Sequence, residues 1–118
     1  MHFKSSVVWQ KAMDWVEQVY ALIKVMPDEE RYGMTNQLRR AVVSVPSNIA
    51  EGWARESRKE KAQFLAIAQG SLAEAETLLL LAKRMTWIDG AQLEPILDGA
   101  DEISRMLTAL RRRFRLPP

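Results

Sequence analysis

Gln37-Leu-Arg-Arg-Ala-Val-Val-Ser-Val-Pro-Ser-Asn-Ile-Ala-Glu-Gly52 is the stretch whose reading decides the fold. At about 100° per residue, Leu38, Val42, Val45, Ile49 and Trp53 share one side of a helix. Gln37, Arg40, Ser44, Asn48, Glu51 and Arg55 form a second, narrow polar stripe. A solvent-facing stripe is usually richer in Lys and Glu and less regular. Amide, guanidinium, hydroxyl and carboxylate groups at this spacing can bond to one another or to a partner. Pro46 removes one backbone bond from the middle of this helix and predicts a kink near residues 42–46. Gly52 weakens it by roughly 1 kcal/mol relative to Ala.

The same periodicity extends in both directions and predicts an all-α chain. A first helix is expected over about residues 6–26, where Val8, Ala12, Trp15, Val19, Leu22 and Met26 follow heptad spacing. Pro27 and Asp28-Glu-Glu30 end it. The second spans about 35–56, with Thr35 as its expected N-cap. Ser57-Arg-Lys-Glu60 has the pattern of a capping box and opens a third helix, over 57–85. Phe64, Ala68, Ser71, Ala75, Leu78 and Ala82 are its expected seam. Leu78–Leu81 is apolar all round, more than one core face needs, and suggests a second buried surface such as an oligomer contact. The fourth helix covers about 90–114, capped by Asp89, with Leu93, Ile96, Ala100, Ile103, Leu107, Leu110 and Phe114 in register. Pro95 argues for a later regular start. Short connections between four such helices give one domain over residues 1–118, an up-down-up-down antiparallel four-helix bundle with a kinked second helix.

Composition narrows the function classes. There is no Cys, so disulfides, thiolate chemistry and Cys-ligated zinc are absent, and a reducing cytoplasm suits the chain. The N-terminus lacks the apolar segment of a signal peptide, and no apolar run approaches the roughly 20 residues of a membrane span. His2 is the only His, so no Glu-x-x-His metal scheme and no Ser-His-Asp or Cys-His nucleophile can be assembled. Glu74 and Glu76 point apart on a helix and read as a solvated face. No phosphate-cradling glycine loop occurs. The expectation is a non-enzymatic protein without metal or cofactor.

Charge is segregated, although the formal net charge is only +2. Ile103–Pro118 holds five Arg and no acid, and Arg31–Lys61 holds seven basic residues against three Glu. Arg111, Arg112, Arg113 and Arg115 exceed what complementing a helix dipole requires and favour an anionic partner. Arg55, Arg58, Lys59 and Lys61 form a second cluster, for which pairing with local Glu is the plainer reading. Helices 2 and 4 end at the same pole by parity, so the two clusters are expected together, as one phosphate-binding surface. Trp15 and Trp53 are expected in the core and Trp9 at its rim. For the polar stripe, an internal network that fixes register and a subunit contact is favoured over a nucleic-acid-facing strip, because Ser44 and Asn48 are short.

Val8-Trp-Gln10, Glu29-Glu-Arg-Tyr-Gly33, Gln37-Leu-Arg-Arg-Ala41, Ser44-Val-Pro-Ser-Asn-Ile-Ala-Glu-Gly52 and Phe64-Leu-Ala-Ile-Ala-Gln-Gly-Ser-Leu72 resemble the four-helix-bundle proteins encoded in intervening sequences of bacterial 23S rRNA. That family was once labelled a ribosomal protein. It includes the accessory variability determinant of diversity-generating retroelements. The resemblance spans essentially the whole chain. It implies a homo-oligomer, a pentameric barrel of four-helix bundles. In the retroelement branch it implies a basic ring that binds nucleic acid and engages a reverse transcriptase. The expected function is therefore an oligomeric accessory protein that binds structured RNA. A protein-interaction scaffold is the alternative.

Overall fold

The computed structural model describes residues 2–117 and is helical throughout. Four long helices make up the described residues: α1 (Val7–Ile23), α2 (Met34–Ala54), α3 (Arg58–Arg84) and α4 (Gly90–Arg115). Single 3-10 turns stand at Phe3–Ser5 and Asp28–Glu30. Each helix packs on its two neighbours around a square, α1 on α2 and α4, and α3 on α2 and α4. The bundle measures 48 × 25 × 21 Å.

The helix starts follow from local chemistry. Ser6 caps α1 and Ser57 caps α3, each hydroxyl accepting a main-chain N–H three residues on. Such caps contribute about 1 kcal/mol each. Asp89 forms a complete capping box with Gln92, and α4 begins there at once, with Pro95 inside its first turns and exposed. The delayed start expected from Pro95 is therefore corrected. The capping role expected of Thr35 is corrected too. Gly33 is the N-cap of α2, without a side-chain bond, and Thr35 lies buried at the second helical position with an unpaired hydroxyl. α2 runs unbroken through buried Pro46, whose missing N–H leaves the Val42 carbonyl without its usual helical donor.

α3 ends in a Schellman arrangement: Trp87 N–H bonds the Ala82 carbonyl at 3.0 Å and Thr86 N–H the Lys83 carbonyl at 2.9 Å. The left-handed position belongs to Thr86, at φ 63°, where a branched side chain is crowded.

The core is continuous from Val8 to Leu107. Trp15 is its largest member, 2% exposed, with its indole N–H donated to the Ile96 carbonyl at 3.0 Å. Gly99 makes room for that ring, since a Cβ there would lie 3.3 Å from Trp15 Cδ1. The seam of α3 differs from the spacing read in the sequence. Leu65, Leu72 and Leu79 fill the core beside Ala68, Ala75, Leu78 and Ala82, while Phe64 and Ser71 sit half-buried at its edge. The Leu run divides: Leu78 and Leu79 are buried, whereas Leu80 and Leu81 are 43% and 41% exposed.

By length and composition alone, α3 could cross a membrane. The expectation that no segment would do so is corrected. Glu74 and Glu76 are the only charges between Lys61 and Lys83, too few to break the run. In this fold much of its apolar content lines the bundle core.

Candidate nucleic-acid interface

α2 and α4 finish, and α1 and α3 begin, at one end of the bundle. This pole gathers the two basic clusters. Arg58 spans them by donating from Nη2 to the Arg113 carbonyl at 2.6 Å, which caps the end of α4. Aromatic rings alternate with the cations. Arg55 lies over Phe64 at 4.6 Å, Arg58 over Phe114 at 5.6 Å and Lys61 over Trp53 at 5.7 Å. Trp53 and Phe114 meet edge to face at 5.8 Å. Such contacts hold each cation in place while leaving its charge uncancelled. Trp53, expected in the core, is half-buried and belongs to this layer.

The C-terminal arginines do not point one way. Arg111 and Arg115 are four residues apart and share the α3 side of α4, where they line a shallow groove with Lys59. Arg113 lines the opposite flank, beside Val7 and Trp53. Arg112 is exposed. Arg111 is the most constrained, since its Nη1 donates to Gln69 Oε1 at 2.7 Å. Gln69 Nε2 in turn donates to the Ser104 carbonyl and hydroxyl at 3.1 Å and to Thr108 Oγ1 at 2.8 Å. Nothing in the spacing of α3 singled out Gln69, because its partners lie 35 to 42 residues away.

Ion pairing neutralises little of this charge. Arg55 pairs with Glu51 at 2.8 Å, the plainer reading expected there. Arg58, Lys59, Lys61, Arg111, Arg112, Arg113 and Arg115 form no ion pair among the described residues. Lys61 donates instead to the Trp53 carbonyl at 3.0 Å. The indole N–H of Trp53 and the Nε–H groups of Arg55 and Arg58 are covered and lack acceptors among the described residues, so the pole carries a surplus of donors.

The polar stripe of α2 is largely satisfied within the chain. Ser44 and Ser71 hydroxyls meet at 2.8 Å, Asn48 Nδ2 donates to the Ser44 carbonyl and hydroxyl at 2.8 Å, and Gln37 Nε2 donates to Glu74 at 3.1 Å. The stripe therefore stitches α2 to α3. Arg40 takes no part in an ion pair among the described residues. It lines an open groove of about 1140 Å³ between these helices, with Tyr32, Gln37, Glu74, Leu78 and Leu81.

Away from the pole, Glu76 is half-buried rather than solvated. Burial, and then the carboxylate of Asp101, push its carboxyl above the usual range. Glu102 is pulled below its ordinary value by the hydrogen bond from Lys11 and by that residue's charge. No group of three or more His, Asp or Glu side chains is placed to hold a metal among the described residues.

The family model for the 23S rRNA-intervening sequence protein matches residues 4–109. The chain belongs to that family. A crystal structure of a protein of unknown function from the S23 ribosomal protein family, from Bacteroides thetaiotaomicron VPI-5482, superposes with a TM-score of 0.82 at 28% identity. The match covers 89% of this chain and 98% of that one. The helical bundle and the family resemblance read from the sequence are thereby established. The comparison with curated proteins returned no match.

Proposed function

We propose that this family member is a non-enzymatic, self-associating cytoplasmic protein that binds structured RNA through the basic pole. The observation that carries this reading is the alternation of cations and rings at one end of the bundle. Seven Lys and Arg side chains there form no ion pair among the described residues, and Phe64, Phe114 and Trp53 pack between or beneath the cations. Phosphate neutralisation by such side chains supplies affinity with little sequence preference, and ties it to salt concentration. Rings and guanidinium planes add surfaces on which unstacked bases can lie.

Fluorescence anisotropy against a structured RNA at several salt concentrations tests this. Saturable binding with a steep log–log salt slope is expected. Arg111→Glu with Arg115→Glu should abolish it while the helical circular dichroism stays unchanged. No binding even at low salt would remove the nucleic-acid role.

A scaffold reading is favoured by the α2–α3 groove. Tyr32, 85% exposed, and Leu81 stand beside it, a surface suited to a subunit or another protein. Light scattering at micromolar concentration should give a mass above the monomer. A monomer alone would refute self-association in either reading.

A further inference from the structure

We infer that the groove between the start of α3 and the end of α4 takes an unpaired nucleotide, so that single-stranded segments of RNA are its ligand class. This rests on the RNA-binding reading above and narrows it. The groove holds about 460 Å³, within the roughly 300–1,000 Å³ usual for ligand pockets. Its floor is apolar, made by Ala62, Ala66 and Phe114. Its rim is cationic, made by Lys59, Arg111 and Arg115, with no acid in the lining.

A groove meant for phosphate alone has no use for an apolar floor, since a phosphate loses hydration there. A base brings a flat apolar face and a polar edge, joined to an anion. The face suits Ala62, Ala66 and Phe114. The edge can meet the amide of Gln63, which lines the same groove and offers both donor and acceptor. The phosphates flanking the base fall to Lys59, Arg111 and Arg115. Arg111, fixed by Gln69 through one Nη only, keeps its other N–H groups and its planar face.

A duplex cannot use this site, because its bases are stacked on one another and it shows proteins mostly phosphates and ribose hydroxyls. The two small residues are what keep the floor open.

The test compares a short fluorescein-labelled RNA strand with the same strand annealed to its complement, at matched salt. Stacking of one base contributes about 1–3 kcal/mol, so the single strand should bind about five- to 150-fold tighter. Ala66→Leu retains every charge and a strong helix former, and fills the floor. It should erase that preference and leave duplex binding within about twofold, with melting temperature checked in parallel. Equal binding of both forms by the unsubstituted protein would overturn the groove assignment and leave the phosphate-binding reading standing. An undiminished single-strand preference in Ala66→Leu would also overturn it. Failure of both RNAs to bind at low salt would overturn the RNA reading itself.

Discussion

Gln69 holds Arg111 without belonging to the basic surface, and Gln69→Leu separates position from charge. The substitution shortens the side chain by one atom and removes both ends of the amide. It deletes the bond to Arg111 at 2.7 Å and those to Thr108 and Ser104. A bond to a charged group contributes about 1.5–3 kcal/mol and a neutral one about 0.5–1.5. Gln69 is half-buried, so water replaces part of both, and the added apolar surface returns about 1 kcal/mol. The net loss is about 1–2 kcal/mol, a fall of about 4–10 °C in melting temperature for a chain of this size. Freed of its anchor, Arg111 must be immobilised again on binding, at about 0.5–1.5 kcal/mol, or a two- to tenfold loss of RNA affinity. The salt slope should not move, because no charge is lost. Arg111→Gln is the contrasting variant, lowering the slope by about 0.7 for one single-strand phosphate contact. Thermal melts and anisotropy titrations at four salt concentrations read all three quantities. A slope that falls in Gln69→Leu as it does in Arg111→Gln would refute the reasoning, since Arg111 would then have left the RNA. Unchanged melting and affinity would show that Gln69 anchors nothing.

Three further outcomes follow from the packing and the charges. Thr86→Gly relieves the left-handed C-cap of α3 and should raise stability by about 1 kcal/mol, read in urea midpoints; a loss would show that the Thr hydroxyl outweighs the crowding. Gly52→Val should cost about 2 kcal/mol or more, because a Cβ there already lies 3.3 Å from the Lys61 carbonyl and from Phe64 Cβ; a neutral melt would show that α2 and α3 can part freely. Burial and Asp101 raise the Glu76 carboxyl in the folded state, so its ionised form opposes folding and protonation favours the fold as pH drops. Glu76→Gln should therefore stabilise the protein at pH 7, with the gain shrinking as the native carboxyl protonates in acid; a constant difference across pH would contradict this.

How far the sequence could be read depended on how sharply each helix distinguishes its faces. α1 and α4 alternate apolar and charged residues, and the heptads read there are the buried residues from Val8 to Leu22 and from Leu93 to Leu107. Thirteen of the nineteen residues of α3 from Phe64 to Ala82 are apolar, so spacing alone did not choose its inner face. The choice is made by α2. Ser44 takes Ser71 to the edge, and Arg55 covers Phe64, which turns Leu65 and Leu72 inward. The Thr35 cap failed for a related reason. Its hydroxyl is a good cap only outside the helix, and burial beside the core drew the residue inside.

At the candidate site the sequence disclosed charge but not direction. Parity was sufficient to place both basic clusters at one pole, and the Arg58–Arg113 bond joins them there. Four arginines in five positions read as one patch, yet helical geometry sends Arg111 and Arg115 to one flank and Arg113 to the other. The consequence is chemical. A compact patch of four guanidinium groups would bind any polyanion by charge alone, whereas the divided arrangement leaves an apolar floor between Lys59 and Arg115. Small residues one turn apart, Ala62 and Ala66, are as much a part of that surface as the cations, and ordinary charge mapping passes over them. Discrimination between bare polyanions and unpaired bases therefore resides in the residues that carry no charge.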